Sequence, residues 1–268
     1  MNLQGYFDRI GYRGTAEPTT ANLRAIHRAH ALSIAYENLD VLLQRPVTQD
    51  IEAIYEKIVV QGRGGWCYEM NGLLCWALRE TGFDVTRMTG GVMRAEFGDA
   101  AFGNHLVLRV DLDEPWIADV GIGDCFVEPL PLVAGEHRQG LRSFTLEQLN
   151  DTEWRLHNRE GGMPPSFDFR NAPADENLLA ETCERLQADP QSKFRENLIC
   201  QRMAAQGGWS QLGISRLDLA SGERTVFASE DEFLGSLHEL IGALPPDAHR
   251  LWPSALARHK ELFPDDGS

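Results

Sequence analysis

The chain has 268 residues, 43% hydrophobic and 24% charged, a balance that excludes disorder as the main state and allows one large domain or two to three small ones. Its formal charge of −15 excludes a reader of the nucleic-acid backbone and would repel anionic membranes, so an anionic substrate needs its own basic patch. There is no spanning apolar run and no secretory leader, and five scattered cysteines without a C-x-x-C pair point to a reducing cytoplasm with a thiol free for chemistry.

Residues 1–82 read mostly as helix. Thr19 or Thr20 caps a helix over about 21–33, with Leu23, Ile26 and Ala29 or His30 at helical spacing. A second helix covers 51–60 through Ile51, Ile54, Tyr55 and Ile58. A third starts at Trp66 or Cys67, after Gly64 and Gly65, and runs to Thr81 before Gly82. The period then changes to that of strands: 83–93, 105–110 and 116–120, the last two separated by the turn-like DLDEP. Further strands are expected at 126–133, 143–146, 153–157 and 166–169, which suits an antiparallel sheet or barrel. From about 174 helix returns, through ENLLAETCERL and then FRENLICQRMA. Strand-like pieces follow at 212–219 and 225–227, and helices at 230–240 and 254–262 close the chain.

The segment RGGWCYEMN places Cys67 in the first turn of its helix. Unpaired N–H groups there favour a thiolate over a thiol and offer donors to an oxyanion. His105 opens a strand in GNHLVLRV, and Asp119 sits near the end of the apolar strand WIADVGIG. A hairpin between these strands brings the two together. A buried aspartate needs a partner, and His105, with its tautomer fixed by the carboxylate, can take the proton of Cys67. By itself Asp119 also reads as a turn cap, His105 as a strand-start residue and Cys67 as a core thiol. Their coincidence favours a Cys–His–Asp triad. His27 and His30, three apart, suggest a helical face without a third metal ligand, Cys75 reads as core, and Cys125, Cys183 and Cys200 lack partners for chemistry.

With RGGWCYEMNG, NHLVLRV and WIADVGIGD in this order, plus YFDRIGY at 6–12, IAYENLDVL at 34–42 and SKFRENLICQR at 192–202, the chain resembles the arylamine N-acetyltransferase family along nearly its whole length. That resemblance implies an α+β fold with a cysteine-protease-like catalytic core: an N-terminal helical bundle (1–82), a central antiparallel β-barrel (83–188) and a C-terminal α/β lid (189–268). It implies acetyl transfer from acetyl-CoA to an arylamine, arylhydrazine or arylhydroxylamine, with no metal, no nucleic acid and no membrane partner. Cys67 matches the acetylated nucleophile, His105 the general base and Asp119 its orienting acid. Arg63 matches a buried structural arginine near Glu37 and Asn38. Trp66 and Ile122 fall in the expected acceptor pocket, where many relatives carry phenylalanine or tyrosine and phenylalanine respectively, so acceptor choice is where this chain departs. The rival readings are an amide synthase acting on a polyketide thioester, a cysteine protease or transglutaminase, and an inactive interaction protein.

Overall fold

The structure is a computed structural model and describes residues 1–264. Helix α1 (Leu3–Ile10) is capped by the Asn2 side chain and buries Tyr6, Phe7 and Ile10. Thr19 caps α2 (Thr20–Ser33), whose buried face joins Leu23 and Ile26 to His27 and His30. A two-residue strand β1 (Tyr36–Glu37) and the turn α3 (Leu39–Leu42) follow. The helix expected over 51–60 starts as α4 (Ile51–Tyr55) and finishes as a π-helical turn, Glu56–Val60. Helix α5 (Cys67–Glu80) is buried on nearly all sides of its first three turns, which explains why its sequence is apolar around most of its circumference.

The central sheet contains β2 (Asp84–Val92), then, beyond the short α6 (Arg94–Phe97), β3 (His105–Asp111), β4 (Pro115–Ala118), β5 (Leu130–Pro131), β6 (Gly135–Gln139), β7 (Arg142–Gln148), β8 (Glu153–His157) and β9 (Ser166–Arg170). Its eight strands run in the order β5-β4-β3-β2-β9-β8-β7-β6, all neighbours antiparallel, and curl into a nearly closed barrel. The β3–β4 hairpin pairs Leu108 with Ala118 and Asp111 with Pro115. One interior cluster gathers Met88, Val107, Phe144, Leu156, Phe167 and Phe169 from alternate strand positions.

The C-terminal part begins with α7 (Glu176–Ala188) and α8 (Lys193–Glu196). A five-stranded sheet follows, in which β1 is joined by β10 (Ile199–Met203), β11 (Gly208–Leu212), β12 (Ser215–Asp218) and β13 (Arg224–Val226), and the helices α9 (Glu230–Ile241) and α10 (Leu251–Leu262) complete it. This layer packs on its own apolar cluster around Phe233, Leu237 and Leu251.

Three local expectations give way to tertiary contacts. The segment FRENLICQRMA does not continue as helix: α8 ends at Glu196, and 199–203 is a strand between β1 and β11. The Asn38 side chain donates to the carbonyls of Phe194 and Asn197 and accepts from the Ile199 N–H, a set of bonds that fixes a turn where a helix would have run. The strand expected over 212–219 is a hairpin instead, folded at Gly213 with φ 56°. Of the strand expected over 126–133, only Leu130–Pro131 pairs, because the chain ahead of it is bent around the site.

Candidate active site

Two glycines deliver the chain to α5. Gly65 forms a parallel bridge to Tyr36, and a Cβ at Gly64 would lie 2.3 Å from the Ala35 carbonyl oxygen, so only glycine allows the approach. Glu69 on the first turn accepts the Trp66 N–H at 3.1 Å and holds the helix start. Cys67 is thus presented at the first position of α5, buried, with its thiol 3.7 Å from the Asn104 carbonyl oxygen, one residue before His105.

The helix start does not by itself ionise this thiol. Burial pushes the Cys67 thiol well above the ordinary range, and Cys183 and Asp119 push the same way, against the Tyr68 N–H, which lowers it. Desolvation of a charge outweighs one turn of helix field. The Tyr68 N–H acts in the direction expected of a helix start, but burial outweighs it, so the thiolate calls for a cationic partner as well.

His105 opens β3 on the barrel. His105 Nε2 lies 2.6 Å from Asp119 Oδ2, both residues almost fully buried. A carboxylate only accepts, so Nε2 carries the hydrogen and Nδ1 is the basic nitrogen. The other oxygen of Asp119, Oδ1, accepts from Asn71 Nδ2 (2.7 Å) and the Gly121 N–H (2.8 Å). Asn71 also donates to Leu106 and accepts the Val120 N–H at 2.9 Å. It lies one helical turn beyond Cys67 on α5, so one amide joins that helix to β3 and to the segment just after β4. Its place four residues after Cys67 in the motif is the signal that sequence reading passed over. Gly121 completes the fit, since a Cβ there would sit 2.8 Å from Cys67 Cα.

His27 belongs to the same construction, and not to a metal pair. The Asp119 N–H donates to its Nε2 at 3.0 Å, and its Nδ1–H donates to the Val127 carbonyl at 2.9 Å. Both ring nitrogens therefore clamp the backbone of segment 119–127 from α2, and the ring stacks on Phe126 at 5.7 Å. His30 turns elsewhere, to the Tyr6 hydroxyl at 2.9 Å. Burial lowers the His27 pKa below its ordinary 6.5 and that of His30 well below it. In the unfolded chain both rings take up a proton as pH falls below 6.5, while the folded rings refuse it until their own lower values. Stability therefore falls with pH through this window, by up to about 1.4 kcal/mol per pH unit for each ring. We expect His27→Gln, which keeps an acceptor for Asp119, to reduce the slope of unfolding free energy against pH below 6.5. His27→Leu should also lose about 1–3 kcal/mol, from the Asp119 N–H and Val127 carbonyl left unpaired. Chemical denaturation across pH measures both, and an unaltered slope in both variants would show that His27 is not the neutral ring described.

Arg63 is buried as an anchor, with NH2 2.8 Å from Glu37 and NH1 3.1 Å from Asp40. Lys57 joins them, 2.9 Å from both Asp40 and Glu69. Burial opposes the charge of Lys57, but Glu69, Glu37 and Asp40 raise its pKa overall; Asp40 is in turn lowered against its burial by Lys57 and Arg63. The net stabilisation of such a network is small, whereas stripping one partner strands a buried charge. Asn38 takes no part in it and binds the turn before β10 instead.

Of the two residues expected in an acceptor pocket, Ile122 lines a small cavity beside Asp119. Trp66 does not: it is buried edge-on against Tyr68 and Phe194, beneath the short helix α8. Cys75, Cys183 and Cys200 are buried free thiols, and Cys125 lines the cavity. Among the described residues no group of three His, Cys, Asp or Glu side chains is placed to hold a metal, and no helix is long and apolar enough to cross a membrane.

Known proteins resemble this chain. The family model described as N-acetyltransferase matches residues 19–240. An arylamine N-acetyltransferase / N-hydroxyarylamine O-acetyltransferase of Salmonella typhimurium is 35% identical over 212 residues, covering 77% of this chain and 74% of that one. The solved structure of an M. smegmatis arylamine N-acetyltransferase superposes with a TM-score of 0.86 at 31% identity, covering 95% of this chain and 97% of that one. That of the Mycobacterium marinum arylamine N-acetyltransferase in complex with CoA superposes with a TM-score of 0.84 at 27% identity, covering 95% and 98%. A cysteine at a helix start, a carboxylate-held histidine and a match over most of the chain place this protein in a family of enzymes: it belongs to the arylamine N-acetyltransferases.

Proposed function

We propose that the chain transfers an acetyl group from acetyl-CoA to the nitrogen of an arylamine, arylhydrazine or arylhydroxylamine, through an acetyl-cysteine at Cys67. The observation that carries the reading is the His105–Asp119 pair, fastened through Asn71 to the helix that begins at Cys67. The Cys67 proton passes to His105 Nδ1 as Sγ attacks the acetyl carbonyl carbon. The bond from that carbon to the CoA sulfur breaks, and CoA leaves with the proton from His105. The acceptor nitrogen then attacks the thioester and gives its proton to His105. The carbon–Sγ bond breaks, and Cys67 recovers the proton. Because burial disfavours a lone thiolate, the sulfur ionises only as His105 becomes imidazolium, and Asp119 stabilises that cation.

In this reading 1–82 supplies the nucleophile, 83–188 the histidine and aspartate, and 189–268 the cover over them. Five free, buried cysteines are in keeping with a reducing cytoplasm. Incubation with acetyl-CoA, followed by intact mass and peptide mapping, tests the proposal. The expected result is one acetyl group on Cys67, with stoichiometric CoA release, discharged by an arylamine or arylhydrazine. Absence of both the acetyl-protein and CoA release would overturn it.

A further inference from the structure

The cavity beside Asp119 has a polar end. Tyr36 on β1 lies directly opposite Gln201 on β10 in the antiparallel register, so their side chains project to the same face, and both line the cavity. They are 8% and 9% exposed. One end of the Gln201 amide bonds to Ser210 Oγ at 3.1 Å. The other rests on the glycine turn after Ile122: a Cβ at Gly123 would fall 1.7 Å from it. Neither that end nor the Tyr36 hydroxyl has a hydrogen-bond partner among the described residues. Neither atom is fully buried, so both stay open to a hydrogen-bonding group that enters the cavity.

The rest of the lining is apolar, with Ile34, Met70, Ile122, Phe126 and Met203, and its charged member is Asp119. No lysine, arginine or histidine lines it. An anionic ring substituent would meet no cation in the lining and would lie near the Asp119 carboxylate, whereas a neutral one would meet a donor and an amide. Burial, and after it the nearby Cys67, Glu37 and Glu69, hold the Tyr36 pKa well above its usual value, so its hydroxyl remains a donor. The cavity measures about 10 Å³, the room of a single water, so a ring enters only as a side chain moves. Gln201, with three rotatable bonds and its amide over Gly123, is placed to swing aside.

Resting on the acetyltransferase reading above, we infer that Tyr36 and Gln201 form a polar recognition pair that selects arylamine acceptors bearing a neutral hydrogen-bonding substituent, such as a hydroxyl, over alkyl- or carboxylate-bearing ones. The pair acts on the second half-reaction and leaves acetylation of Cys67 by acetyl-CoA largely untouched.

The experiment compares kcat/KM for 4-aminophenol, 4-methylaniline and 4-aminobenzoate in the wild type, Tyr36→Phe and Gln201→Met, with the rate of Cys67 acetylation followed in parallel by CoA release. Taking ratios between enzymes cancels the intrinsic nucleophilicity of each amine. Tyr36→Phe is expected to lower the preference for 4-aminophenol over 4-methylaniline by about 5- to 10-fold, the worth of one hydrogen bond. Gln201→Met should lower it by a similar factor, and acetylation rates should stay within about twofold of the wild type. Normal acetylation with acceptor ratios unchanged in both variants would overturn this inference and leave the acetyltransferase reading standing. A wild type that is not acetylated at all would overturn both. Equal losses for all three acceptors would mean that the two residues support the fold of the site and not selection, which also overturns the inference. Should Gln201→Met unfold, Tyr36→Phe decides alone, since it removes one oxygen and keeps the ring.

Discussion

Cys67→Ser is expected to abolish acetyl transfer, lowering kcat/KM by at least about 10³-fold while the protein stays folded. The thiol is already held in its neutral form by burial, and reaches the thiolate only by passing its proton to His105. A serine hydroxyl is far less acidic than a thiol, so the same imidazole cannot ionise it to a useful extent. Serine still fits the buried site and can donate to the Asn104 carbonyl that the thiol now faces, so thermal unfolding should change little. The measurements are single-turnover CoA release and a melting curve. Turnover within tenfold of the wild type from a folded variant would remove Cys67 from the nucleophile's role. Cys75→Ser provides the contrast: Cys75 is equally buried on the same helix, with no acid–base partner beside it, and its loss should spare activity.

Asp119→Asn should cost on the order of 10³- to 10⁴-fold in rate through the wrong histidine tautomer. The environment dictates how the new amide sits. Oδ1 of Asp119 accepts from two donors, Asn71 Nδ2 and the Gly121 N–H, so the amide oxygen of the variant must take that side. Its NH2 group then points at His105 Nε2, where the wild-type carboxylate accepts. Facing a donor, Nε2 gives up its hydrogen, Nδ1 becomes protonated, and the nitrogen that should receive the Cys67 proton is occupied. The imidazolium also loses its counter-charge, so the thiolate forms only at higher pH. Alkylation of Cys67 followed over about pH 5–10 reads this directly: the rate near neutrality should fall, and its rise should move to higher pH. A profile that coincides with the wild type would take Asp119 out of the triad.

Local sequence was enough to place Cys67 at a helix start and to set His105 at the start of β3 and Asp119 just past the end of β4, its hairpin partner. Each rests on short-range signals: two glycines before an apolar helix in one case, a three-residue turn between apolar strands in the other. The Arg63–Glu37 pair was legible through family motifs, but Asp40, Lys57 and Glu69 around it were not. What only the tertiary structure decided shares one property: the partners are far apart in the chain. His27 meets the Asp119 backbone across 92 positions, Asn38 turns 199–203 out of a helix across 161, and Tyr36 faces Gln201 through a sheet built from both ends of the protein. Trp66 shows the same limit, since its motif suggested a pocket and Phe194, far along the chain, drew it into the core. Periodicity reports which face of an element is apolar. It carries no term for the element that will cover that face, and so the neighbourhood of His105 and Asp119 could be read from the sequence while the clamp beneath it and the cavity beside it could not.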